Sequence, residues 1–152
     1  MKKLIAAMLC IATVLCICSC GKQPHPDTYC ASLAAAEKLI GFDLTAPEKI
    51  GNSGTNTFRV NGRTLEVMYF DGKVLTGRIT KADNLENING FDYGYTAETS
   101  LSDGGIDYML KGEEGKETVH LATWTSGKYS YLVLCGEEKT PQQLVELCKS
   151  IK

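Results

Sequence analysis

The chain has little of what catalytic and metal-binding sites are made from. Histidine occurs twice, and only His120 lies in the part expected to fold, because His25 stands between two prolines near the start. A nucleophile needs a base beside it, so a lone histidine gives thin support to any Ser/His/Asp or Cys/His set. No two cysteines stand at C-x-x-C spacing, so a zinc site would have to be assembled by the fold from His120 and distant thiols. The glycine spacing that cradles phosphate is missing as well. Asp103 and Asp107 share a glycine-rich turn, but a calcium loop needs more oxygen ligands at tighter spacing. Glu113, Glu114, Glu137 and Glu138 read as solvated charge. Positive charge is not in excess, with a formal balance of −2, which argues against nucleic acid as partner. The expectation is a protein that is not an enzyme and holds no cofactor or metal.

What is present begins at the first residue. Met1-Lys2-Lys3 is a short basic head, followed by an apolar run from Leu4 to Ile17. This is the pattern of a secretory signal, and the run falls short of the ~20 apolar residues a membrane span needs. It ends in Ile17-Cys18-Ser19-Cys20, which resembles the lipobox of bacterial lipoproteins. Ser19 supplies the small residue before the modified cysteine, and Cys18 fails as an alternative because Ile17 before it is bulky. The resemblance implies cleavage between Ser19 and Cys20 and a diacylglyceryl group on the Cys20 sulfur. Cys10, Cys16 and Cys18 then leave with the signal. Each buried methylene of the anchor contributes about 0.8 kcal/mol, so two chains hold firmly where one holds reversibly. Loss of Lys2 and Lys3 moves the formal charge from −2 to −4, which leaves membrane attachment to the acyl group. The organisation expected is a signal over 1–19, an acylated tether over 20–27, and one domain over 28–152.

For that domain the pattern predicts an α+β fold: a curled antiparallel β-meander of about six or seven strands, with an N-terminal and a C-terminal helix on one face. Asp27 can cap a first helix running to Ile40, with Tyr29, Leu33, Ala36 and Ile40 as its apolar stripe and Gly41 at its end. Thr140-Pro141-Gln142-Gln143 fits a capping box with proline at the first helical position, ahead of Leu144, Leu147, Cys148 and Ile151. Asn61-Gly62, Asp71-Gly72 and Ser126-Gly127 read as two-residue hairpin turns. They would set Phe58 opposite Leu65 and Tyr69 opposite Val74, giving one apolar surface of Phe58, Leu65, Val67, Tyr69 and Val74. The third would place Trp124, Tyr129, Tyr131 and Val133 on one face and Val119, Leu121, Leu132 and Leu134 on the other. Either both faces are covered or one is a groove. Phe91, Tyr93, Tyr95 and Ala97 alternate inward and are expected beneath the helices.

Export permits disulfides. Helices sharing a face would bring Cys30 and Cys148 within reach, Cys135 competes as partner, and buried free thiols are the third option. The segments ENINGFDYGY (86–95), ATWTSGKYSYLVL (122–134) and TPQQLVELCKSI (140–151) resemble the family catalogued as domain of unknown function 4367. That resemblance implies an envelope protein, akin to Gram-positive lipoproteins and the extracytoplasmic parts of anti-sigma factors, and brings no catalytic residues. The function expected is a monomeric, lipid-anchored binding or interaction module on the extracytoplasmic face of the cell membrane, whose partner is an envelope protein or a small apolar ligand. The alternative is a carrier or sensor of a lipid-like ligand on the concave sheet face, with Trp124, Tyr129, Tyr131, Leu121 and Leu132 as its apolar surface.

Overall fold

Turn chemistry sets the sheet. The computed structural model describes residues 25–83, 88 and 94–152. Strands β2 (Thr55–Gly62), β3 (Thr64–Asp71) and β4 (Val74–Ala82) are joined by tight hairpins, as are β7 (Val119–Ser126) and β8 (Tyr129–Lys139). In all three hairpins glycine is the first central residue, at φ 60, 59 and 59 for Gly62, Gly72 and Gly127, and among the described residues none other than glycine has positive φ. This is the type II′ arrangement, with a basic residue (Arg63, Lys73, Lys128) second. The pairing therefore slides by one residue on each strand from the register expected: Phe58 faces Val67, Asp71 faces Val74, and Trp124 faces Tyr131. A slide of two positions along a ladder leaves every side chain on its predicted face, because the pleat repeats every two residues.

A bulge between Val119 and Leu121 breaks that rule, turning Val119 to the helix-covered side while Leu121 stays on the other. Val74 pairs with Asp71 and so stays on the Tyr69 side, but at the hairpin end it is 67 % exposed and adds nothing to a buried apolar surface.

The sheet is open, antiparallel and eight-stranded, one or two strands more than expected, in the order β1-β2-β3-β4-β8-β7-β6-β5. Two four-stranded meanders run inward from the edges and meet at β4–β8, where Ile79 faces Val133 and Lys81 faces Tyr131. The extra strand is β1 (His25–Cys30), which replaces the start of the predicted first helix. Proline suits an edge strand and not a helix interior, so Pro26 sits where the sheet tolerates it. Helix α1 is only Leu33–Ile40, capped by the Ser32 hydroxyl and closed by Gly41 in the left-handed region, as its glycine predicted. Tyr29, expected on the buried stripe, is 63 % exposed. Strands β5 (Ala97–Asp103) and β6 (Ile106–Gly112) meet in the Gly104-Gly105 turn, and helix α2 (Pro141–Lys149) carries the predicted capping box complete.

Both helices lie on one face, α1 over β1–β3 and α2 over β5, β7 and β8. Ala36 and Ile40 from the first, with Leu144, Val145 and Cys148 from the second, join the sheet residues Val60, Leu65, Val67, Ile79 and Val133 in one buried cluster. The opposite face carries a smaller cluster of Ala82, Ile88, Leu121, Leu132 and Leu134, with Tyr95 and Leu75 against it. Tyr95 is thus on the face away from the helices, contrary to expectation; Phe91 and Tyr93 lie outside the described residues. On that same side the buried Glu66 carboxylate accepts from Arg59 Nε at 2.6 Å, and Arg59 also faces Asp27 at 3.5 Å, which pins the edge strand.

Candidate functional site

The seam where the two meanders join is marked by a lysine turned inward. Lys81 alternates with Thr80 and Ala82 along β4 and points to the helix-covered side, where it is 6 % exposed. Gly41 ends α1 and swings Phe42 and Asp43 over the seam. Lys81 Nζ donates to the Asp43 carbonyl at 2.6 Å and stands 4.5 Å from the Tyr129 ring, 5.3 Å from Tyr131 and 5.7 Å from Phe42. A cation held over aromatic faces gains about 0.5–2 kcal/mol. Burial draws the ammonium pKa down, against the opposing pull of the Asp43 and Glu37 carboxylates.

From Lys81 the aromatic contacts continue along β8 and across to β6. Tyr131 stacks on Trp124 with centroids 4.9 Å apart and planes 6° from parallel, and Trp124 meets Tyr108 at 5.6 Å. Two clefts open along this line. One, about 640 Å³, is walled by Glu37, Lys38, Gly41, Phe42, Asp43, Lys81 and Tyr129. The other, about 370 Å³, has Tyr108, Trp124 and Tyr131 as its floor, Ile106, Cys148 and Ile151 as apolar walls, and Ser126, Lys149 and Lys152 at its mouth. A pair of backbone hydrogen bonds between Thr45 and Lys152, at 2.9 and 3.3 Å, ties the segment after α1 to the segment after α2, and so one cleft wall to the other. The second cleft has the size of a small-ligand site, ~300–1,000 Å³, and its composition: apolar and aromatic walls with a few polar groups.

Of the predicted apolar surface, Trp124 and Tyr131 lie on the floor of this cleft and Tyr129 lines its neighbour, whereas Leu121 and Leu132 are buried in the cluster on the opposite face. The five residues do not share one surface. The concave sheet face is not an open groove, because the helices and the 42–50 segment fill it. Cys30, Cys135 and Cys148 are all free thiols, so the Cys30–Cys148 bridge is not made: Cys30 is on edge strand β1, while α2 carries Cys148 over the other half of the sheet. Burial pushes the Cys148 thiol up to about 12 and raises Cys135 as well, which leaves both weakly nucleophilic.

His120 is buried at the β7 bulge, with Nδ1 3.1 Å from the Cys135 carbonyl and its ring stacked on Tyr95 at 5.0 Å. Among the described residues no three His, Cys, Asp or Glu side chains converge to hold a metal. Asp103 flanks the β5–β6 turn and pairs with Lys149 at 2.9 Å. Ser19 and Cys20 lie outside the described residues. The sequence reading missed Lys81, Phe42 and Tyr108. The signal for Lys81 was its phase, a lysine on the inward step of an alternating strand.

The chain matches no protein-family model, no curated protein and no solved structure.

Proposed function

We propose that the protein is a lipid-anchored binding module of the cell envelope, tethered through Cys20 on the extracytoplasmic face and acting by binding rather than by catalysis. The anchoring half of this reading rests on the basic head, the apolar run and Ile17-Cys18-Ser19-Cys20. Among the described residues no helix is long and apolar enough to cross a membrane.

The binding half rests on one observation, the cleft floored by Tyr108, Trp124 and Tyr131. Aromatic side chains offer large apolar area at fixed geometry, and tyrosine and tryptophan keep a polar edge for orientation. The same cleft favours a second, narrower reading, a carrier or sensor of an apolar ligand, now placed at the rim of the core rather than on the open sheet face. Mass measurement of the chain extracted from membranes tests the anchor: a start at Cys20 with acyl mass is expected, and Cys20→Ser is expected to release the protein to the soluble fraction. An unacylated start, or a Cys20→Ser chain still held in the membrane, would overturn the reading.

A further inference from the structure

The strand directions put the tether and the aromatic cleft at the same end of the sheet. His25, where β1 begins, pairs with Gly62; Thr64 pairs with Ala82, Ala82 with Ser130, and Ser126 with Tyr129. Ile106 starts β6 at this end too, and α2 finishes there, bringing Lys149, Ile151 and Lys152 to the cleft mouth. The opposite end holds a smaller hollow of about 250 Å³ beside Pro141 and Gly112.

Cys20 precedes His25 by five residues, a reach of roughly 18 Å at full extension. Neighbouring strands are ~4.8 Å apart, so β8 and β7 stand roughly 19 and 24 Å across the sheet from β1. An acyl chain on Cys20 therefore holds one corner of this end against the bilayer, and the cleft opens along the same end.

We infer that the cleft accepts one hydrocarbon chain of an anionic phospholipid drawn from the leaflet that carries the anchor. This inference rests on the anchored reading above. Tyr108, Trp124, Ile106 and Ile151 would contact the chain; at the mouth Lys149 is paired with Asp103 at 2.9 Å and Glu146 at 2.8 Å, so Lys152 supplies the ammonium that would face the headgroup phosphate while Lys149 offsets the two carboxylates.

Trp124 is the only tryptophan in the chain, and it lies on the cleft floor, so its emission reports occupancy. The acylated protein is extracted from membranes and reconstituted into phosphatidylcholine vesicles containing phosphatidylglycerol with brominated mid-chain carbons. Loss of most of the Trp124 emission is expected, together with recovery of that emission in Ile106→Glu, whose half-exposed position lets the fold persist by circular dichroism. Unbound Cys20→Ser protein mixed with the same vesicles should keep its emission but be quenched saturably by a brominated single-chain detergent.

Acylated, vesicle-bound protein with unquenched Trp124 would overturn the inference and leave the anchor standing. Quenching indifferent to Ile106→Glu would place the chain elsewhere and overturn it too. A Trp124 spectrum that differs between wild type and Cys20→Ser in plain detergent, with no response to brominated lipid, would assign the cleft to the protein's own acyl group instead. An unacylated, unbound chain would remove the anchored reading itself, and mass measurement separates that result from the others.

Discussion

The two clefts beside the β4–β8 seam are made of similar side chains and differ in what fills them. In the first, Phe42, Tyr129 and Tyr131 surround a charge that the protein supplies itself, the Lys81 ammonium, whose hydrogen bond to Asp43 closes the cage. In the second, Tyr108, Trp124 and Tyr131 form a floor, and the lysines among its described lining residues, Lys149 and Lys152, stand at the mouth. Tyr131 lines the second cleft and lies 5.3 Å from the Lys81 ammonium of the first. The same aromatic edge therefore fastens a loop on one side and presents apolar surface on the other. Self-filled and open sites are told apart by the partner atoms, not by residue type.

The largest effect is expected at the boundary. Trp124→Ala removes a ring packed between Tyr108 and Tyr131 and should cost about 3–5 kcal/mol, the usual range for deleting a buried aromatic. Urea unfolding measures it. A cost under ~1 kcal/mol, the range of volume-conserving swaps rather than cavities, would mean the cleft floor is not part of the core, and the contrast between the clefts would fail.

Next is the cage. Lys81→Ala leaves the Asp43 carbonyl without its donor and three rings without their cation, with an expected loss of about 2 kcal/mol from the unmade hydrogen bond and the cation–π contacts. Lys81→Met, which keeps the apolar stem, should recover part of this. Binding at the second cleft should be unchanged in both. If Lys81→Ala abolished Trp124 quenching by brominated lipid, the two clefts would have to be one site.

A pH series sharpens the same point. Burial lowers the Lys81 pKa in the folded state, so below that lowered value the residue is charged both folded and unfolded, and the full cost of burying the charge is present. Between the lowered value and the ordinary ~10.4 the unfolded chain holds more protons than the folded one, and stability rises with pH. The wild type should therefore gain stability relative to Lys81→Met as pH climbs toward ten. Tyr131, whose phenol burial raises, is common to both proteins and cancels in the difference. A difference that stays flat with pH would mean the ammonium is solvated, and the cage open.

Most of the framework was legible because it depends on short-range chemistry. The α2 capping box, the Gly41 stop and the hairpins are written in three or four consecutive residues each. The faces of Phe58, Leu65, Val67, Tyr69, Trp124 and Tyr131 also came through, since a misplaced turn centre slid the pairing by an even step. What was not legible depends on unlike segments meeting. Residues 25–27 read as tether and 28–30 as the start of a helix, yet the β2 edge and the Arg59–Asp27 contact hold 25–30 as strand. The bulge that moved Val119 carries no local signature. The cleft needed α2, β6 and β7 to be placed before Tyr108 could be set beside Trp124.

The smallest effect concerns the cleft mouth. Lys149 is exposed and divides its charge between Asp103 at 2.9 Å and Glu146 at 2.8 Å. Exposed ion pairs contribute little to stability, because solvent screens them and holding long side chains in place costs entropy. Lys149→Ala should therefore leave the unfolding midpoint where it is. Loss of the ammonium nevertheless leaves the Asp103 and Glu146 carboxylates without their counter-charge beside the place assigned to a phosphate, whereas Phe42, Tyr129 and Lys81 line the other cleft. Lipid binding should weaken in the variant, and more so in phosphatidylglycerol than in phosphatidylcholine, with the difference shrinking as salt is added. Equal weakening for both lipids would assign Lys149 to packing at the rim. In that case the open cleft would differ from the filled one in shape alone, with no selection by charge.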